Sequence, residues 1–314
     1  MSQKHDYQYF NLIKTTLEKG TVKGDRTGTG TISYASQQMR FDLSDYSIPV
    51  LTSKHMFTRG MKEEKLWYFR GETNIKALLD VNVHIWDQWA DENGDLGPVY
   101  GAMWRNWPDT QLVVGNDKKK EYEDRGYEML VHNGNFFVMH KDIDQLAEAI
   151  ELIKHNPDSR RIIINSWNPS LLPIDLKVPK NNPKLGLQAL PPCHCMFQFT
   201  VADGKLSCDL RQRSADIGLG VPFNIAQYSM MTILLAKMCG LEPGEFVWNG
   251  VDCHIYLNHV DKLKEQITRE PFASPYLDVA DSVVGKDPRD ITMEEFIVRG
   301  YDNFHPRIDL PVAT

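Results

Sequence analysis

The sequence predicts a mixed α/β protein, and three observations carry that reading. Residues 8–19 place Tyr9, Leu12, Ile13, Thr16 and Leu17 at helical spacing before Gly20. Residues 223–239 are apolar nearly all round and stop at Gly240, the pattern of a buried helix. Residues 195–201 and 206–212 alternate on either side of Ala202-Asp203-Gly204-Lys205, the pattern of a β-hairpin. The 314 residues suit one large domain or two ordinary ones, and they show no internal repeat and no low-complexity tract.

The remaining elements follow in chain order. Gly24-Asp25-Arg26-Thr27-Gly28-Thr29-Gly30 lacks both a Walker lysine and GxGxxG spacing, so it reads as a tight turn into a strand over Thr31–Tyr34. Residues 59–70 form a helix with Glu64 three residues after Met61 and four before Tyr68. A carboxylate on that apolar face has its charged form disfavoured, which suits proton transfer. The plainer reading is that Lys62-Glu63-Glu64-Lys65 is a solvated charge run. Ile85-Trp86-Asp87-Gln88-Trp89 and Gly97-Pro98-Val99-Tyr100-Gly101 bracket an acidic loop, and their tryptophans fit either core or an aromatic pocket. Residues 107–141 turn polar and aperiodic apart from Phe136–Met139, which predicts an inserted excursion and no second domain. A helix then carries Ile143, Leu146, Ile150 and Ile153 to Asn156-Pro157. Arg160 and Arg161 lead into a strand over 162–167.

Charge and cysteine usage narrow the setting. Forty-two acidic against 35 basic residues give a net charge of −7, which does not suit a general nucleic-acid binder but permits a local basic pocket. Five cysteines are too few, and odd in number, for a disulfide scaffold, so a reducing cytoplasm is expected. The first residues hold no apolar h-region, so no secretory signal is expected. No apolar run is long enough to span a bilayer.

Pro191-Pro192-Cys193-His194-Cys195 carries the sharpest chemistry. Cys193, His194 and Cys195, with Cys253 and His254, invite zinc, but the spacing does not give tetrahedral ligands and no CxxC pair exists, so no metal is expected. A papain-type pair is disfavoured because its local signature is absent. The plainest alternative is a small buried hydrophobe, which is the reading preferred for Cys208 and Cys239. Cys193 differs in its basic setting. The pairs Arg160/Arg161 and Arg211/Arg213, with Arg26 beside glycines, fit a forked phosphate clamp, and a nearby guanidinium holds a thiol as thiolate. Strict alternation puts Arg213 on the face of Asp209 and Arg211, so aiming it at Cys193 requires a bulge.

Long motifs now accumulate in one order: Asp25-Arg26-Thr27-Gly28-Thr29-Gly30-Thr31, Leu66 to Asn74, Trp86 to Gly94, Gly97 to Gly101, Asp158 to Ile162, Leu190 to His194, Gln212-Arg213-Ser214, Asp216 to Asn224, His254-Ile255-Tyr256 and Pro311-Val312-Ala313. Over nearly its whole length the chain resembles the thymidylate synthase family. The resemblance implies one domain over 1–314 with a polar insertion at about 107–141. It implies a mixed twisted sheet covered by helices, and a sheet-to-sheet homodimer. It also implies reductive methylation of dUMP to dTMP, with 5,10-methylenetetrahydrofolate as carbon and hydride donor. By the same resemblance Cys193 adds to pyrimidine C6. Glu64 and Tyr100 handle protons, His194 supports the network, and Arg213 stabilises the thiolate. Asp216 meets pyrimidine and folate, and Asn224 reads the O4/N3 edge of uracil. The dUMP site would comprise Arg26, Gln212, Arg213, Ser214, Asp216, Asn224, His254 and Tyr256, with Arg160 and Arg161 from the neighbouring subunit. Lys54, Ile85, Trp86, Asp216, Leu219, Gly220, Phe223 and Ala313 would border the folate.

Four positions depart from the family pattern. Lys65 stands where leucine is usual, Arg211 where tyrosine is usual, and Gln227 where serine is usual; Thr314 ends the chain in place of a hydrophobic residue. A polar end weakens a lid that excludes water. A deoxyuridylate hydroxymethylase, in which water instead of hydride captures the methylene intermediate, would keep Asn224 and is the alternative reading. The deoxycytidylate version uses aspartate at that position. An RNA-binding regulator or an inactive relative is disfavoured by the acidic charge and by the presence of Cys193, Glu64 and Asn224.

Overall fold

A computed structural model describes residues 4–25 and 28–312. Helix α1 (Asp6–Lys19) buries Tyr9, Phe10, Leu12 and Ile13 on one face and is followed by strands β1 (Thr21–Lys23) and β2 (Thr31–Asp42). The strand expected over Thr31–Tyr34 therefore runs eight residues further, because it pairs along its length with a long central strand. Helix α2 (Thr58–Arg70) closes on Gly71 in the left-handed conformation. Short helices α3 (Lys76–Asp80) and α4 (Gly101–Arg105) flank the acidic loop.

Residues 107–141 are not aperiodic. Strand β3 (Trp107–Val114), helix α5 (Asn116–Asp124), and strands β4 (Glu128–Asn133) and β5 (Phe136–Ile143) form a separate antiparallel sheet in the order β3-β5-β4. Val113, Tyr127, Phe137 and Met139 make its small core. The other face leaves Leu112, Val114, Val131 and Phe136 exposed, which is why the alternation was hidden. Ile143 ends β5, and the next helix, α6, spans Gln145–His155 with Asp144 capping it through the Ala147 amide.

The main sheet is built from β6 (Ile163–Asn165), β7 (His194–Ala202), β8 (Lys205–Asp216) and β9 (Glu242–Tyr256), joined to the first two strands in the order β1-β2-β9-β8-β7-β6. Positive φ at both Asp203 and Gly204 gives the β7–β8 hairpin the turn that matches strand twist. The β8–β9 pair is parallel, so the chain must cross over, and helix α7 (Gly220–Met238) makes the crossing. Buried residues on every side of α7 follow from its place between the sheet and the α2 layer. Helix α8 (Val260–Gln266) and a two-stranded ribbon of β10 (Tyr276–Val279) and β11 (Phe296–Arg299) complete the structure. Among the described residues no helix is long and apolar enough to cross a membrane.

Candidate active site

Cys193 immediately precedes β7, half-buried, and its peptide is fixed at both ends. Its N–H donates to Tyr100 Oη at 3.0 Å, and its carbonyl accepts from the Arg213 N–H at 2.9 Å. The second bond exists because the β7–β8 register shifts between His194 and Met196, leaving Cys195 bulged. The bulge thus supplies what alternation alone did not. The Arg213 guanidinium donates through Nε to Pro192 O and through Nη2 to Pro191 O, both at 2.8 Å, and lies 5.1 Å over the Trp167 ring. It therefore clamps the loop that presents the thiol.

Arg213 acts on the thiol in the expected direction, but burial works against it. Burial pushes the Cys193 thiol up, and the Arg213 charge opposes this only in part. Burial and the arginine charge thus act on the thiol in opposite directions.

Tyr100 occupies a strained position, with φ 35°. The next residue has to be glycine, since a Cβ on Gly101 would meet the Tyr68 backbone at 2.3 Å. The Tyr100 ring stacks on His194, with centroids 4.0 Å apart. His194 is buried, and its Nδ1 shares a 2.9 Å hydrogen bond with Tyr228 Oη. Burial, helped by the nearby Lys65 charge, holds this imidazole well below the usual histidine range.

Glu64 lies on the inner side of α2, and the charge run around it is not a solvated face: Lys62 and Lys65 are both buried. Glu64 Oε1 accepts from Tyr68 Oη at 3.0 Å and Trp86 Nε1 at 2.7 Å, while Oε2 accepts from Gln227 Nε2 at 2.5 Å. Burial raises its carboxyl, and these donors, with Lys65, pull the other way.

The first turn of α7 brings together Leu219, Gly220, Phe223 and Asn224. Asn224 Oδ1 accepts from Gln212 Nε2 at 2.9 Å, and Gln212 Oε1 in turn accepts from Trp248 Nε1 at 2.7 Å. This relay fixes which end of the Asn224 amide is free. Asp216 Oδ1 accepts from the N–H groups of Gly218 and Leu219, shaping the turn before the helix. Lys54 is buried and donates to Gly218 O at 2.8 Å; burial lowers its amine to about 8. Asp6 holds the Thr52 and Ser53 amides just ahead of it.

Strand β9 sets His254 opposite Asp216 and two residue pairs on from Ser214. The Tyr256 ring packs edge-on to His254 at 5.3 Å. Arg160 and Arg161 are exposed ahead of the edge strand β6, and among the described residues neither is hydrogen-bonded to the Cys193 cluster. Ile85 is exposed beside Trp86. Arg26, Ala313 and Thr314 lie outside the described residues.

Sequence reasoning gave no role to Tyr68, Tyr228 and Trp167, and recorded Gln227 and Lys65 only as departures. The signal for Tyr68 was present: it stands one helical turn after Glu64.

A clamped thiol ahead of β7, a triply bonded carboxylate on α2 and an oriented amide on α7 are chemically suited to nucleophilic attack on a flat heterocycle. Residues 7–314 match the family model described as thymidylate synthase, so the chain belongs to the thymidylate synthase family. The family is one of one-carbon transferases acting on dUMP, with methylenetetrahydrofolate as co-substrate.

Proposed function

We propose that this protein converts dUMP to dTMP, using Cys193 as nucleophile. Two arrangements support this most directly: Cys193, Tyr100, Tyr68 and Glu64 are linked by hydrogen bonds and a ring contact, and Asn224 is oriented by Gln212. Uracil C5 is a poor nucleophile. Adding the Cys193 sulfur at C6 makes an enolate with a nucleophilic C5. Asn224, its Oδ1 held by Gln212, offers its Nδ2 donor to uracil O4. Glu64 accepts the C5 proton through water, and Tyr100 stands next to Cys193 to guide it. Arg213, Ser214 and Arg26 take the 5′-phosphate, whose negative charge draws Arg213 off the proline carbonyls. His254 and Tyr256 take the sugar.

We assign the folate ring to half-buried Leu219 and Phe223, exposed Ile85, and Trp86, with Asp216 and Lys54 as its polar partners; Ala313, outside the described residues, is assigned to the same site. Bound methylenetetrahydrofolate would supply the one-carbon unit and the hydride. The protein's own residues bind, orient and exclude water. We assign the catalytic unit to a single domain with residues at about 107–141 inserted. We further assign it to a cytoplasmic homodimer in which Arg160 and Arg161 reach the neighbour's phosphate site.

Product analysis from dUMP and methylenetetrahydrofolate tests the reading. The expected products are dTMP and dihydrofolate. Formation of 5-hydroxymethyl-dUMP with tetrahydrofolate would replace it with the hydroxymethylase.

A further inference from the structure

One buried ionisable group has no part in the chemistry above. Lys65 is 1% exposed, and its Nζ has no hydrogen-bond partner. Three ring faces enclose the amine: Tyr228 at 4.4 Å, Trp104 at 4.9 Å and Tyr68 at 5.2 Å. An aromatic box of this kind attracts a cation through the ring quadrupoles, yet it replaces only part of the lost hydration. A leucine, usual here in the family, would fill the same space without that cost.

The hydroxyls of two boxing rings point away from the amine into the active site. Tyr68 Oη donates to Glu64 Oε1 at 3.0 Å, and Tyr228 Oη pairs with His194 Nδ1 at 2.9 Å. The third ring is anchored elsewhere, by Trp104 Nε1 donating to Ser166 Oγ at 2.8 Å. The titratable groups that face Lys65 are therefore Glu64 and Tyr68 on α2, Tyr228 on α7, His194 on β7 and the Cys208 thiol on β8.

We propose that Lys65 is a positioning residue for the proton-handling pair Glu64 and His194, its ammonium polarising the two tyrosine hydroxyls that bond them and favouring an ionised Glu64 beside a neutral His194. The proposal rests on the reading that those two groups act on dUMP. A cation under a phenol ring makes its O–H a stronger donor, and hydrogen bonds in a chain polarise one another. The same charge lowers the proton affinity of both Glu64 and His194. Both effects act in one direction: with the charge present, the carboxylate and the neutral imidazole persist to lower pH. Burial brings the Lys65 amine itself down to about 7, so the influence is exerted on the acid side and fades as pH rises.

The test is the pH profile of kcat for dUMP conversion in Lys65→Met, whose side chain fills the box without charge. The acid limb is expected to move up by about one pH unit, a tenfold loss at pH values below the limb. The two profiles should converge above about pH 9, where the wild-type amine is neutral, with the KM for dUMP unchanged. An unmoved limb, or an equal loss at every pH, would overturn the proposal. Lys65→Leu repeats the test should the methionine variant not fold. The wild-type protein gives a readout that needs no variant: the ¹³Cε resonance of Lys65 should titrate well below the ordinary lysine range, and a resonance constant from about pH 6 to pH 9 would contradict the idea. Failure of the wild-type enzyme to convert dUMP at all would instead defeat the proposed function.

Discussion

Glu64 and Lys65 are chain neighbours on α2, the first half-buried and the second 1% exposed, and they are provided for in opposite ways. The acid side of the helix meets three donors, from Tyr68, Trp86 and Gln227. The base side meets three ring faces and no acceptor. Tyr68 serves both, with its hydroxyl on Glu64 and its ring over Lys65. The lesson is that a buried charge can be provided for by direct bonds or by polarisable surfaces, and only direct bonds fix geometry. Under the proposed function Glu64 is thereby held for chemistry, and Lys65 is proposed to act through its field.

Three perturbations test this contrast. The largest effect is expected from Glu64→Gln, which keeps the shape but loses the base. Its kcat should fall about 10²–10⁴-fold, while dUMP still raises the melting temperature. A loss under about tenfold would move the proton work to another group.

A smaller effect is expected from Gln227→Leu, which leaves the carboxylate with two donors. The missing hydrogen bond raises the Glu64 proton affinity, so the acid limb of the rate profile moves to higher pH. The rate at pH 6 should fall about three- to tenfold, with a smaller loss at pH 8. Equal losses at both pH values would show that Gln227 merely packs.

The smallest effect concerns stability. The Lys65 amine is brought from 10.5 in the unfolded chain to about 7 in the fold. Its charge therefore opposes folding fully below pH 7, and the penalty dwindles as pH rises toward 10.5. Lys65→Met should raise the melting temperature by several degrees at pH 6 and by much less at pH 10. A rise independent of pH would mean that the amine keeps the same proton affinity folded and unfolded, and that burial does not lower it.

Much of the candidate site was legible because its residues lie in local patterns. The Cys193 segment, the α7 run ending at Gly240 and the Asp203-Gly204 turn each announce themselves within one short stretch of chain. What was hidden depended on partners distant in sequence. The bulge at Cys195 is a property of the pairing with β8, so alternation within either strand does not reveal it. Lys62-Glu63-Glu64-Lys65 reads as solvated because Trp104 and Tyr228, which enclose Lys65, are 39 and 163 residues away. The inserted sheet was missed for a different reason. Strand β4 is exposed along its whole length, and Met129, Leu130 and Val131 break the alternation that marks a half-buried strand. The ionisation of Cys193 also resisted sequence reasoning, because an arginine nearby in sequence says nothing of how deeply the thiol is buried.

The central claim is that the Cys193 sulfur bonds to C6 of the pyrimidine. Incubation with 5-fluoro-dUMP and methylenetetrahydrofolate tests it most directly, since fluorine at C5 cannot leave as a proton and the adduct persists. Intact-protein and peptide mass spectrometry should show nucleotide and folate together on the peptide holding Cys193, and nothing on Cys193→Ala. Absence of the adduct from the wild-type protein, or its survival in the alanine variant, would contradict the account.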